Sequence, residues 1–366
     1  MNKSLIWFAA ALLSVACTKD GDTIYKPDPN EETASTVPLV TVIYDANALG
    51  DRSYNDLIYE GVERTAQELG LRTMQQSPRT HEEGLQYLEL MFRQMETATD
   101  SVRRLFIVAS PGYDDFIRSH NSRLEANPYA DLLYLETSTP LEGKGSTLFM
   151  SYYGAMYEAG RIQAMTVYPK VMLVGANRRT EAVTNAMKGY QDGFETGLKL
   201  LTESQTRRAK LSLAWLDETG EGGFTIADST AMKLLMQWYE DDYLSVVPVC
   251  GGAFNTFARL NSLVGLSLVG IDSFYDSYYS AYSVVKHISR AMEHCIRQWL
   301  SAEGIPKHQT LGLASGYTEV ILNRPVEIWE PEGYEGETVP TLTEEMKQAI
   351  HEEAVKKEES LTPEER

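Results

Sequence analysis

The densest run of chemically capable side chains in the sequence is Asp45-Ala46-Asn47-Ala48-Leu49-Gly50-Asp51-Arg52-Ser53-Tyr54-Asn55. It holds carboxylates (Asp45, Asp51), amides (Asn47, Asn55), a hydroxyl (Ser53) and an aromatic ring (Tyr54). Such a set can hydrogen-bond a small polar molecule and stack on a planar part of it. Asp51 or Ser53 can also cap a following helix, so one of them has an ordinary structural use. Capping accounts for neither Asp45 nor Tyr54. Catalysis has weaker support. The sequence carries no Gly-x-Ser-x-Gly elbow, no phosphate-binding P-loop and no His-Glu-x-x-His pair. Gly220-Glu221-Gly222-Gly223 lacks dinucleotide-loop spacing and puts an acid where pyrophosphate would sit. The histidines, at 81, 120, 287, 294, 308 and 351, are scattered. A binding protein without cofactor or metal is the expectation, not an enzyme.

These residues need a frame. Leu39–Tyr44 is strand-like, and Tyr54–Leu69 then repeats Ile58, Val62, Ala66 and Leu69 at helical spacing. The loop between them is therefore a strand-to-helix connection, the place where open α/β sheets bind ligands. Leu71–Gln75, Arg104–Ala109, Asp131–Glu136 and Ser146–Met150 read as further strands. Between them lie helices, one with Leu85, Leu88, Met91, Phe92 and Met95, another over Tyr113–Glu125. A second set follows, with helices over Tyr153–Tyr168, Glu181–Leu198, Thr225–Tyr239 and Phe254–Leu263. Its strands are Val171–Gly175, Lys210–Leu216, Leu244–Val249 and Leu266–Ile271. Ser283–Leu300 reads as one long helix and Tyr317–Leu322 as a last strand. This alternation predicts an α/β protein with two doubly wound parallel-sheet lobes. Late elements crossing back would make a three-crossover hinge. Thr341 and Glu344 form a capping-box pattern before a helix with Met346, Ile350 and Val355, expected as a solvated acidic tail.

The opening block carries a resemblance. Asp45, Gly50-Asp51-Arg52-Ser53-Tyr54-Asn55 and Tyr59-Glu60-Gly61 resemble the start of the BMP/PnrA-like basic membrane lipoproteins. Those are substrate-binding proteins of ABC importers, often for purine nucleosides, with a type I periplasmic-binding-protein fold. Gly154, Ala159-Gly160, Gly189-Tyr190, Gly193-Phe194, Gly251-Gly252, Val269-Gly270-Ile271-Asp272-Ser273 and Ser283-Val284-Val285-Lys286 follow in the family's order. The resemblance implies that Tyr54 stacks on a base in place of a Phe and that Asp45 meets the ligand. It also implies that Asp272 accepts from ribose hydroxyls and that Lys286 and the Gly252 backbone line the pocket. Phe224, or else Trp215, would be the second stacking ring. Taken singly, Phe224 reads as a core residue and Lys286 as a solvated helix residue, whereas Asp45 and Tyr54 read as ligand contacts. Tyr54 for Phe, and Phe274 where the family has Asp, depart from the pattern.

The ends of the chain suggest an address. Met1-Asn2-Lys3, the apolar Leu5–Leu13 and small residues before Cys17 read as a signal peptide (1–16), and the last of these resembles a lipobox with Cys17 lipidated. Residues 17–37 would be a tether, 38–145 with 280–303 one lobe, 146–279 with 304–329 the other, and 330–366 an acidic tail. Only three cysteines occur, which excludes a disulfide scaffold; Cys250 and Cys295 read as buried thiols. The net charge of −19, with 52 acidic against 33 basic residues, disfavours nucleic acid as a partner. The sequence thus predicts a bacterial envelope lipoprotein, on the periplasmic side or cell surface, with a nucleoside-like ligand and an ABC permease as candidate partner. The alternative is a surface receptor for sugars or another partner, uncoupled to import. Lys19-Asp20 resembles a lipoprotein surface-export signal, and loop tyrosines such as Tyr152-Tyr153 suit such a surface.

Overall fold

The computed structural model describes residues 36–167, 170–278, 280–329 and 340–362. The signal peptide, Cys17, tether residues 18–35 and tail residues 330–339 lie outside the described residues. Elements of the compact unit Val37–Arg366 run in this order. The first block is β1 (Leu39–Ile43), α1 (Tyr54–Leu69), β2 (Arg72–Gln76), α2 (His81–Thr97), β3 (Arg104–Val108), α3 (Asp114–His120), β4 (Ala130–Leu135) and β5 (Ser146–Met150). Next come α4 (Tyr153–Met165), β6 (Lys170–Asn177), α5 (Glu181–Leu198), α6 (Glu203–Thr206), β7 (Lys210–Asp217), α7 (Asp228–Glu240), β8 (Ser245–Val249) and α8 (Ala253–Asn261). The rest are β9 (Ser267–Leu268), β10 (Gly270–Asp272), β11 (Tyr282–Lys286), α9 (Ile288–Leu300), β12 (His308–Leu311), β13 (Thr318–Leu322) and α10 (Glu344–Ser360).

The first lobe is built on a parallel sheet in the order β12-β5-β4-β3-β1-β2. Its central strands are apolar on both faces, as a sheet covered on both sides requires. Alternation divides them: Val40, Val42, Leu105, Ile107, Leu133 and Leu135 join Ile58 of α1 and Met292 and Trp299 of α9 in one cluster. Ile43, Phe106, Val108, Leu132 and Tyr134 meet Leu88, Phe92 and Ile117 of α2 and α3 in the other.

In the second lobe β7-β6-β8-β9 is parallel, and a three-stranded sheet, β10-β11-β13, lies beside it. Its core is organised by α4 on α5. A Cβ at Gly193 would come within 2.0 Å of the Tyr157 carbonyl, and one at Gly160 within 2.2 Å of that of Tyr190. These glycines let two backbones touch, which explains their spacing without any ligand.

The two-lobed α/β architecture and three-crossover hinge agree with expectation. The chain leaves the first sheet between β5 and α4, returns between β11 and α9, and leaves again between β12 and β13. Three details differ. First, β5 and β12, expected in the second lobe, belong to the first sheet: Leu133 pairs with Ser146 and Thr147 with His308. Strand periodicity shows a strand, not its neighbour. Second, Ser283–Lys286 is not the start of a long helix but strand β11, paired on both sides with β10 and β13. The β-branched Val284-Val285 accepts that pairing, which outweighs the helical spacing. Third, α10 is no loosely packed tail. It is capped by Thr343, whose hydroxyl accepts the Met346 N–H, and it buries Ile350, Ala354 and Glu358 against the second lobe.

Candidate functional site

The 45–55 loop mostly satisfies itself. Asp51 accepts the backbone N–H groups of Ser53 (2.9 Å), Asn55 (3.0 Å) and Asp56 (3.1 Å), together with the Asn55 side-chain amide (2.9 Å). Asp51 thus satisfies the first free N–H groups of α1 in place of a cap bond from Ser53, the N-cap residue. Asp45 is exposed and accepts its neighbour Ala46 N–H; Asn47, also exposed, donates to the Arg79 carbonyl at 2.8 Å. The structure therefore leaves Asp45, Asn47 and Asn55 outside the cluster described next.

Beneath the loop, strand ends from both lobes meet. The Ser53 hydroxyl donates to Asp272 Oδ2 at 2.7 Å. The Tyr152 hydroxyl accepts the Asp272 N–H at 2.7 Å, and its proton lies between Asp272 Oδ1 (3.1 Å) and the Val284 carbonyl (3.0 Å). Lys286, at the end of β11, is 3.0 Å from Glu136 Oε1, just past β4. These two side chains are only 4% and 6% exposed, so each is the other's necessary counter-ion. The Lys286 ammonium also sits 4.7 Å from the Tyr152 ring centre and 5.9 Å from that of Tyr54, within cation–π range. Asp272, Lys286, Ser53 and Tyr54 are thus brought together, whereas the solvated-helix alternative for Lys286 fails.

Glu136 and Tyr152 complete the cluster without having been singled out as site residues. The signal for Glu136 was an acid ending the apolar run Leu132–Leu135, where strand carboxyl ends face ligands. Its Oε2 is buried and has no hydrogen-bond partner. Burial pushes the Glu136 carboxyl above its ordinary range, and the Lys286 charge opposes that rise. Burial likewise raises the Tyr54 and Tyr152 hydroxyls well above the usual phenol range, reinforced by Glu136 and Asp272 respectively. Both stay protonated donors. Of five non-glycine residues with positive φ among those described, Asn47, Arg52, Glu136 and Asp272 surround this region, where strained backbone concentrates at sites.

Further contacts hold the lobes face to face. Asn255 donates to the Asp51 carbonyl at 2.5 Å, and the Ser138 N–H to Glu181 Oε2 at 3.1 Å. Gly252 abuts Asp51: a Cβ there would lie 3.4 Å from that of Asp51 and 3.2 Å from the Phe224 carbonyl. Phe224 packs by Gly251, half-buried against the second-lobe core. The recess under Tyr54, walled by Leu135, Glu136, Leu148, Met150, Ile288 and Met292, has no volume open to a water molecule. Cys250 and Cys295 are buried free thiols, and burial pushes the Cys295 thiol up to about 12.

No protein-family model matches the sequence, and no curated protein is detectably similar to it. The likeness is structural. An ABC transporter solute-binding protein from Aeropyrum pernix K1 superposes with a TM-score of 0.63 at 17% identity, covering 90% of this chain and 83% of that one. A transcriptional activator of the comK gene from Bacillus halodurans gives 0.61 at 12%, covering 87% and 96%. A glucose–galactose binding protein from Geobacillus stearothermophilus gives 0.52 at 14%, covering 78% and 98%. These similarities, with two α/β lobes and three crossovers, show that the chain has the type I periplasmic-binding-protein-like fold.

Proposed function

We propose that this protein is a solute-binding protein that closes its lobes on a small, polar, ring-bearing ligand, a purine nucleoside foremost, for delivery to an ABC permease. The observation that carries it is the buried interlobe cluster of Ser53, Glu136, Tyr152, Asp272 and Lys286, with half-buried Tyr54 beside it. Two carboxylates can accept from sugar hydroxyls, and an aromatic ring can stack on a base, worth about 1–3 kcal/mol. The buried carboxylates outnumber the single ammonium, which disfavours phosphorylated ligands. Asp51, Asn55, Gly252 and Phe224 would form the rim, with Asp45 and Asn47 outside it. Opening admits the ligand, whose preference for the closed state then drives closure. A lipid on Cys17 would hold the protein at the membrane.

Thermal-shift measurements with adenosine, adenine, ribose, glucose and galactose test the reading. A nucleoside at a hundredfold excess over Kd should stabilise the fold by about 2.7 kcal/mol. Tyr54→Ala should abolish most of that gain. A response to sugars with none to nucleosides would replace the nucleoside by a sugar. That second reading, a sugar receptor, draws support from the structural neighbour named for glucose and galactose. Surface proteolysis of whole cells would distinguish a surface receptor from a periplasmic one.

A further inference from the structure

The carboxylate of Glu358, on the last turn of α10, is buried at the hinge rather than in either lobe's core. Its Oε1 accepts the Ser151 hydroxyl at 2.9 Å and the Gly154 N–H at 3.2 Å. Its Oε2 accepts the Ala314 N–H at 2.9 Å. Ser151 and Gly154 flank the first crossover and Ala314 lies on the third, so one side chain joins two of the strands about which the lobes would turn. The surroundings are shaped for it. A Cβ at Gly312 would lie 2.5 Å from Glu358 Oε1, and one at Gly154 would lie 3.0 Å from the carboxylate. Both crossovers thus carry a glycine where the carboxylate enters.

The rest of α10 anchors that side chain to the second lobe alone. Glu353 accepts the Tyr157 hydroxyl at 2.5 Å and pairs with Arg161 at 3.2 Å. His351 lies 2.8 Å from Glu158, which is almost wholly buried. Ile350 and Ala354 pack into the same core cluster as α4. The helix is therefore fixed along its length to one moving body, with its end reaching the pivot.

We propose that α10 is a hinge brace and that Glu358 is a positioning residue that sets how readily the lobes part. The inference rests on the crossover geometry and not on the identity of any ligand. Hydrogen bonds to a charged group are among the stronger ones, and here they would be strained or lost whenever the two crossovers shift relative to each other. The brace thereby limits the population of opened molecules, and through it the apparent affinity for whatever requires opening or closing.

The test measures the interlobe distance without added ligand, by double electron–electron resonance between spin labels. The labels are carried on bioorthogonal amino acids at the exposed positions Leu90 and Leu263, one in each lobe. The wild-type chain should give one narrow distribution. Glu358→Ala should raise the population at other distances about tenfold, the effect of losing one charge-assisted contact. Glu358→Gln keeps the side chain's shape but offers one acceptor oxygen, so it can serve one crossover and not both; it should fall between the two. A merely structural cap on α4 predicts something else: a lower Tm with wild-type distance distributions in both variants. That result would overturn the proposal. Because no ligand is added, failure here leaves the nucleoside reading untouched, and failure of the nucleoside screen leaves the brace untouched.

Discussion

Two regions of the molecule are rich in carboxylates and hydroxyls, and they use them in opposite ways. The loop from Asp45 to Asn55 spends most of its carboxylate acceptors on nearby backbone. Asp51 takes three N–H groups at the start of α1, and Asp56 takes those of Gly50 and Arg52 at 2.7 and 2.8 Å. The cluster below it, by contrast, contains groups that nothing nearby in the chain can satisfy. Ser53 and Asp272 are 219 positions apart, and Glu136 and Lys286 are 150 apart. Local density of polar residues marks a loop that holds itself in shape. Remote residues forced into one dry place mark the region where a ligand could matter, because there each group lacks water and depends on partners brought from far along the chain.

The contrast can be broken by substitution. Lys286→Ala strands a buried Glu136 charge and should cost about 3–5 kcal/mol, read from urea unfolding. A loss below about 1 kcal/mol would show that the cluster is not a dependent unit. Combining Lys286→Met with Glu136→Leu should recover much of that loss, since removing both charges leaves no orphan; the coupling expected from such a cycle is on the order of 0.5–3 kcal/mol. In the loop, Asp51→Ala should cost about 0.5–2 kcal/mol, as a lost helix cap does. Asp45→Ala, which removes only an exposed contact to its neighbour, should stay within about 0.5 kcal/mol.

The smallest effect belongs to pH. The hydrogen bond to Glu158 raises the pKa of His351 above its ordinary value, against partial burial and nearby Lys347, with Glu352 adding to the rise. A group whose folded pKa is raised adds stability that is complete below its unfolded value and fades as pH climbs through the folded one. The wild-type stability advantage over His351→Gln should therefore shrink as pH rises from about 6 upward. A constant difference across that range would remove His351 from the account.

Much of this was legible in the residues. Short apolar runs such as Leu39–Ile43 and Arg104–Val108 become strands, and the 3.6-residue spacing of Ile58, Val62 and Ala66 becomes the buried face of α1. The motif blocks point to Tyr54, Asp272 and Lys286, and these do converge. The Lys286 environment was misread because Ser283–Leu300 has continuous helical spacing, while β11 forms only where β10 and β13 supply partners on both edges. Glu136 escaped because a single acid at the end of an apolar run looks like a strand terminus. The tail reads as solvated because its charges hide the narrow stripe of Ile350, Ala354 and Glu358 that the structure buries.

By itself, the sequence determined the alternating elements, the two sets of strands and the residue types available at their carboxyl ends. Those follow from local periodicity and local capping, which short stretches encode. Tertiary structure alone decided which sheet β5 and β12 join, that Glu136 faces Lys286, and that Glu358 reaches the crossovers. These are pairings between segments far apart in the chain. Their energies arise from desolvation and complementary charge at contact, and so exist only once the segments have been brought together.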